Sequence, residues 1–235
     1  MATEFILLLY GDNSSFLQWA GEEAFEEVDW LEQQLSIYQI TSELSGINAW
    51  AATQQVIVEP GLFRLLQVSK QLWEETSGAF DITISPLVRT WGFFRGRGGM
   101  PDEESIAQVM PHIGTGHISL NAEQRTIHFE VPGVEINLGG IGKGYAVDCV
   151  VEILRRNGVT SAFVNAGGST FYALGSPPGL EAWNVGIRDP FDKDKHVEVL
   201  PLRDRSLSTS GNYEKFFEVD GKIYCHILDP RTGRP

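Results

Sequence analysis

Between Asn137 and Asp148 the chain reads Asn-Leu-Gly-Gly-Ile-Gly-Lys-Gly-Tyr-Ala-Val-Asp, with four glycines and one lysine set between an apolar run and a helical pattern. Glycine lacks a Cβ and reaches positive φ at little cost. Successive N–H groups can therefore converge on an anion that the following helix N-terminus also attracts, with Lys143 supplying the positive charge. The chemistry this suggests is the holding of a phosphate. Two common phosphate loops do not match. A dinucleotide fingerprint needs glycine three residues after Gly142, where Tyr145 stands, and a Walker loop needs Ser or Thr after Lys143, where Gly144 stands. The same residues also read as a glycine-rich strand-to-helix turn that serves only close packing.

The elements that must position this segment follow from periodicity. The N-terminal run from Met1 to Tyr10 reads as a strand. Phe16, Ala20, Ala24, Val28, Leu31 and Leu35 recur at helical spacing behind the cap candidates Asn13, Ser14 and Ser15. A second helix is predicted from Pro60, with Leu62, Leu65, Leu66, Val68 and Leu72 inward, stopping at Ser77-Gly78. The run from Arg95 to Asp102 has no period and reads as a mobile loop or a joint. Residues 126–131 and 134–138 flank Pro132-Gly133 as a predicted hairpin, and a helix from about Gly144 to Asn157 is closed by Gly158. Beyond it lie six predicted strands, at 162–165, 171–174, 183–187, 197–200, 216–219 and 223–228. Short turns such as Asp220-Gly221 join them, so neighbours should be antiparallel and the class α+β.

Composition narrows the function. The 235 residues are 42% hydrophobic and 21% charged, which describes a folded domain and not a disordered chain. A net charge of −13 argues against nucleic acid as a partner, because phosphate backbones are held by Lys and Arg; a mononucleotide or dinucleotide ligand stays open. Cys149 and Cys225 are the only cysteines, show no zinc spacing, and read first as small buried residues. No apolar stretch reaches membrane-spanning length, and the N-terminus has neither a basic leader region nor a cleavage site. As written, the chain reads as soluble, without a signal peptide.

Several separated segments together resemble the ApbE family of flavin transferases. They are Met1 to Phe5, Leu35 to Tyr38, Ser42 to Asn48, Ser77 to Thr83, Asn137 to Asp148, Asn165 to Gly168, Trp183 to Pro190, Ser208 to Gly211 and His226 to Gly233. The resemblance covers nearly the whole chain. It implies a single ApbE-like domain over 1–235, related to the T-fold, with mixed, largely antiparallel sheets and packed helices. It also implies an enzyme that splits the FAD pyrophosphate, releases AMP and leaves FMN on a threonine of an acceptor flavoprotein, with Mg2+ as the usual metal. Water in place of threonine would make the protein an FAD pyrophosphatase, and loss of the metal-completing residues would leave a non-catalytic FAD-binding homologue. In the family a further strand and a helix, bearing an Asp and a Thr that complete the metal site, follow the point matched by Pro235; the 235 residues contain no counterpart. Relatives are often exported or membrane-anchored, so the compartment is left undetermined.

Carried over by position, the resemblance implies that Tyr38 lies against the flavin ring. It also places Met1, Ala79, Phe80, Asp81, Gly140, Lys143, Cys149 and Ile227 around the flavin dinucleotide. Asp81 would accept hydrogen bonds from the nucleotide, and the backbone carbonyl of Ala146 would be a metal ligand, which suits a hard cation. His226 would be the general base toward the incoming threonine hydroxyl. Read without the resemblance, His226 is an ordinary strand histidine in the run 223–228 and Tyr38 a partly buried tyrosine at a helix end.

Overall fold

The computed structural model describes residues 3–192, 194–211 and 215–235. Its first part runs β1 (Phe5–Tyr10), α1 (Ser14–Leu35), α2 (Glu43–Trp50), β2 (Val56–Ile57), α3 (Pro60–Glu75), α4 (Ser85–Thr90), α5 (Glu103–Val109), β3 (Ile118–Asn121) and β4 (Thr126–Phe129). After the glycine segment come α6 (Gly142–Arg156), β5 (Ser161–Ala166), β6 (Thr170–Leu174), β7 (Trp183–Arg188), β8 (His196–Leu202), β9 (Arg205–Ser208), β10 (Phe216–Val219) and β11 (Lys222–Cys225). Every strand pair recorded among the described residues is antiparallel, as the short turns require. The α+β class holds.

The chain divides into two compact units. One comprises Met1–Glu32 and Gly142–Ser210, and the other Gln33–Ile141 and Gly211–Pro235. In the first, a four-stranded sheet has the order β1-β5-β6-β9, with Phe5 opposite Ala166 and Tyr10 opposite Ser161 at the ends of the β1–β5 ladder. One face of this sheet alternates Ala162, Val164 and Ala166 into a core with Val147, Val150, Val151 and Leu154 of α6 and Ala20 and Ala24 of α1. Small residues on α1 let the helix approach closely. Asn13 caps that helix by accepting from the Phe16 amide at 3.1 Å. Trp183 and Leu202 of the β7–β8 ribbon join Ala173 and Phe163 in a second, smaller cluster. Helix α6 ends as predicted: Gly158 takes φ +80° and the Val159 amide donates back to the Leu154 carbonyl at 2.9 Å.

The second unit holds the three-stranded sheet β2-β4-β3, the ribbon β10–β11 and helices α2 to α5. Helix α3 buries Leu62, Phe63, Leu65, Leu66 and Ser69. Val68, expected inward, is exposed. It lies two residues past Leu66, about 200° around the helix and outside the buried stripe. Trp91 is fully buried with Leu87, Phe93, Ile106 and Leu228, and its indole N–H donates to the Gly233 carbonyl at 2.8 Å.

The hairpin expected across Pro132-Gly133 does not form. β4 pairs instead with β3 through Ile118 opposite Phe129, and with β2. Residues 134–138 form no strand among the described residues, and several of their backbone groups have other partners. The Asn48 amide donates to the Ile136 carbonyl at 2.9 Å and accepts from the Ile136 N–H at 2.8 Å, and the Asn137 N–H donates to the Ile82 carbonyl at 2.7 Å. The last predicted strand is shorter than expected and stops at Cys225, leaving His226 just beyond it. Residues 95–102 lack regular structure, yet their base is closed by amides of Gly98 and Gly99 donating to the carbonyls of Gly92 and Trp91.

Candidate functional site

In the unit Gln33–Ile141 with Gly211–Pro235 lie Tyr38, Ala79, Phe80, Asp81, Gly140, His226 and Ile227; Lys143, Ala146 and Cys149 lie in the other. Met1 falls outside the described residues.

Tyr38 sits in the turn between α1 and α2 and is 39% exposed. Its ring stacks on Phe94, with centroids 5.2 Å apart and planes 20° from parallel. The guanidinium of Arg95 is 5.6 Å from both ring centroids and donates to the Tyr38 carbonyl at 2.9 Å. A tyrosine on an open turn is thus held in one orientation by neighbours from a distant loop.

Ser77 and Gly78, both at positive φ, end α3 and turn the chain into Ala79-Phe80-Asp81. Phe80 is anchored through its amide, which donates to the Thr76 hydroxyl at 3.0 Å, and its ring faces Gly140, where an added Cβ would lie 3.5 Å from Cε2. Asp81 is buried, and its carboxylate accepts four hydrogen bonds. Oδ1 takes the Thr83 amide and hydroxyl at 2.7 and 2.6 Å and the Thr115 hydroxyl at 2.9 Å, while Oδ2 takes the Thr115 amide at 3.0 Å. The Thr83 hydroxyl in turn accepts from the Gly114 amide at 2.7 Å. Oδ2, with one donor, is the oxygen that retains acceptor capacity.

The glycine-rich segment differs from its expected geometry. None of Gly139, Gly140, Gly142 and Gly144 adopts positive φ. The Gly139 amide is spent on the Asn137 side chain at 2.8 Å, and the need for glycine there is space, since a Cβ would come within 3.0 Å of that same oxygen. Two consecutive glycines at positive φ lie instead in the β5–β6 turn, at Gly167 (+66°) and Gly168 (+68°). Lys143, in the first turn of α6, reaches that turn: its Nζ donates to the Ser169 hydroxyl at 2.6 Å. Lysine and glycine turn do come together, though the turn is not the one that precedes the lysine in sequence. Cys149 is half-buried on α6, and burial pushes its thiol up to about 11, only partly offset by a hydrogen bond with Tyr145.

His226 follows β11. Its amide and its Nδ1 both face the Lys215 carbonyl, at 3.1 and 3.2 Å. A carbonyl only accepts, so the attractive tautomer carries the proton on Nδ1 and the lone pair on Nε2. Phe93 meets the imidazole edge-on at 6.4 Å. Ile227 beside it is exposed. Farther on, Asp229 accepts from the Arg231 amide and guanidinium, which hold its carboxyl down at about 2.

Ala146 is completely buried within α6, and among the described residues no three His, Cys, Asp or Glu side chains gather at one point. No helix among the described residues is long and apolar enough to cross a membrane.

Sequence reasoning missed Phe93, Phe94 and Ser169. The aromatic run Trp91-Gly92-Phe93-Phe94 ahead of the loop was the available signal for the first two; Ser169 gave none, since its role depends on where β5 and β6 turn.

The fold defines an antiparallel α+β protein of two compact units. The ApbE family model matches residues 1–235, and the chain belongs to that family. It is 35% identical over 229 residues to the FAD:protein FMN transferase of Treponema pallidum, covering 91% of this chain and 63% of that protein. With the enzyme of the same name from Klebsiella pneumoniae it shares 32% identity over 237 residues, all of this chain and 71% of the other. The crystal structure of the ApbE protein of Thermotoga maritima superposes with a TM-score of 0.87 at 28% identity, covering 99% of this chain and 78% of that one. The chain therefore spans less than two thirds of the Treponema relative's length.

Proposed function

We propose that the protein is an FAD:protein FMN transferase that moves FMN from FAD to a threonine of an acceptor flavoprotein, with its 235 residues acting as one flavin-transferase domain. The observation that carries this reading is membership of the ApbE family, together with the name that the Treponema and Klebsiella relatives bear. In the proposed reaction the threonine oxygen attacks the phosphorus on the FMN side of the diphosphate. The bond from that phosphorus to the bridging oxygen breaks, and AMP leaves. The threonine proton passes to His226 Nε2, the ring nitrogen left free by the Lys215 contact. Tyr38 offers its face to the isoalloxazine, while Phe80 and Gly140 border the dinucleotide and Asp81 Oδ2 accepts from it. Ile227 and Cys149 complete the proposed contacts. Lys143 supplies positive charge toward the diphosphate as negative charge builds on the leaving phosphate. When magnesium is bound it would spread that charge further. The backbone carbonyl of Ala146 would be one of its ligands.

Incubating the protein with FAD, Mg2+ and a threonine-bearing acceptor should release AMP and add the mass of FMN to the acceptor. Free FMN and AMP with an unmodified acceptor would identify a pyrophosphatase, and FAD binding without AMP release would identify a binding module; either result rejects the transferase reading.

A further inference from the structure

We propose that Phe94 is a positioning residue for flavin binding, a fixed ring that holds Tyr38 flat for its ligand. The inference rests on the flavin reading of Tyr38 given above. Besides stacking on Tyr38 at 5.2 Å, the Phe94 ring carries the guanidinium of Arg89 with its carbon 3.7 Å from the centroid. Arg89 is itself fixed, because Nε and Nη2 donate to the two carboxylate oxygens of Glu135 at 2.9 and 2.6 Å. A bidentate pair fixes the plane of the guanidinium, and a planar cation against an aromatic face fixes the ring.

The loop that bears Phe94 is tied down on its other side. Phe93 is buried against Phe217, and its amide donates to the Val88 carbonyl at 3.0 Å. Gly98 lies so close to these rings that a Cβ would fall 2.5 Å from Phe93 and 2.6 Å from Phe217. Phe94 therefore has little freedom to drift, and it reaches a residue in the α1–α2 turn that has no regular element of its own. Tyr38 keeps enough exposure to offer a surface. A surface tyrosine that binds a ring must first give up rotamer freedom; one already stacked from behind has done so before the ligand arrives. The ligand that such a platform fits is planar, extended and electron-poor, as an oxidised isoalloxazine is.

Titration of the full chain with FAD, read by quenching of flavin fluorescence, tests this. Phe94→Ala should raise the FAD Kd roughly three- to tenfold and reduce the quench at saturation, since the stacked pair is worth about that much. Phe94→Tyr, which keeps the stack, should restore both. Phe94→Leu, which keeps the volume without a π face, should not, and this separates ring stacking from simple filling of space. Phe94 is only half-buried, and equal thermal midpoints for the three variants would show that folding is not the cause. A Phe94→Ala protein that binds FAD as tightly as the wild type, with the same quench, overturns this inference alone. A wild-type protein that does not quench FAD overturns the flavin reading and this inference with it.

Discussion

Asp81 shows how one side chain can serve the fold and the proposed site together. Its carboxylate gathers the amides and hydroxyls of Thr83 and Thr115, which lie in segments far apart in sequence, and it does so in a buried setting where unmade hydrogen bonds are costly. Asp81→Ala removes the acceptor and strands those donors. We expect it to destabilise the protein by about 2–4 kcal/mol, read as a lower denaturant midpoint with no flavin present. A variant as stable as the wild type would mean that the four bonds contribute nothing net and that the residue is kept for ligand contact alone. Lys143 is the contrasting case. Its recorded partner among the described residues, the Ser169 hydroxyl, is neutral, so this contact orients the ammonium without cancelling its charge, which suits a group proposed to face a diphosphate.

At the scale of elements, the segment that leads into the glycine-rich turn is fixed by side chains and not by a ladder. Asn48 lies on α2, whose first turn is capped by Ser42 accepting from the Ser45 amide at 3.0 Å, so the helix presents a rigid amide to residues 134–138. Both backbone groups of Ile136 are satisfied by that one amide. Replacing Asn48 with Ala should cost about 1–3 kcal/mol, since a partly buried N–H and C=O lose their partners together. The accompanying change should be faster amide exchange through 136–138. Unchanged exchange there would show that the segment is held by packing of Val134, Ile136 and Leu138, all of which are buried. The hairpin expected for this stretch does not form, and the Asn48 side chain takes the place of a ladder partner at Ile136.

Across the whole molecule, stability should be graded by how each sheet is paired. β5 is hydrogen-bonded on both sides, to β1 and to β6, and its inward residues are fully buried. β7–β8 and β10–β11 are two-stranded ribbons with exposed faces that include Val197, Val199 and Ile223. Native-state hydrogen exchange should therefore find the slowest amides of the first unit in β5, with both ribbons opening at lower free energy. Ribbon amides as protected as those of β5 would contradict this ordering. His226 stands just beyond the end of one of these ribbons, so the proposed base should lie beside an element that opens more readily than the sheet interior. The charge of −13 spread over this surface leaves attraction to polyanions to a few local groups such as Lys143.

By itself the amino-acid sequence determined what depends on neighbours a few residues apart. The apolar stripe of α1, that of α3 apart from Val68, the extent of α6, the stops at Ser77-Gly78 and Gly158, the Asp220-Gly221 turn and hence the antiparallel α+β class were legible, because helix and strand periods are local properties. The joint order of its motifs was likewise enough to point to the family. Only the tertiary structure decided that Phe94 lies on Tyr38, that Lys143 meets the turn after β5 and not the glycines before it, and that Asn48 takes the backbone of Ile136 from a hairpin. These are meetings of residues distant along the chain. No period or propensity encodes them; they exist because the route of the chain brings two local structures to one place, where hydrogen-bond geometry and ring stacking select the pair.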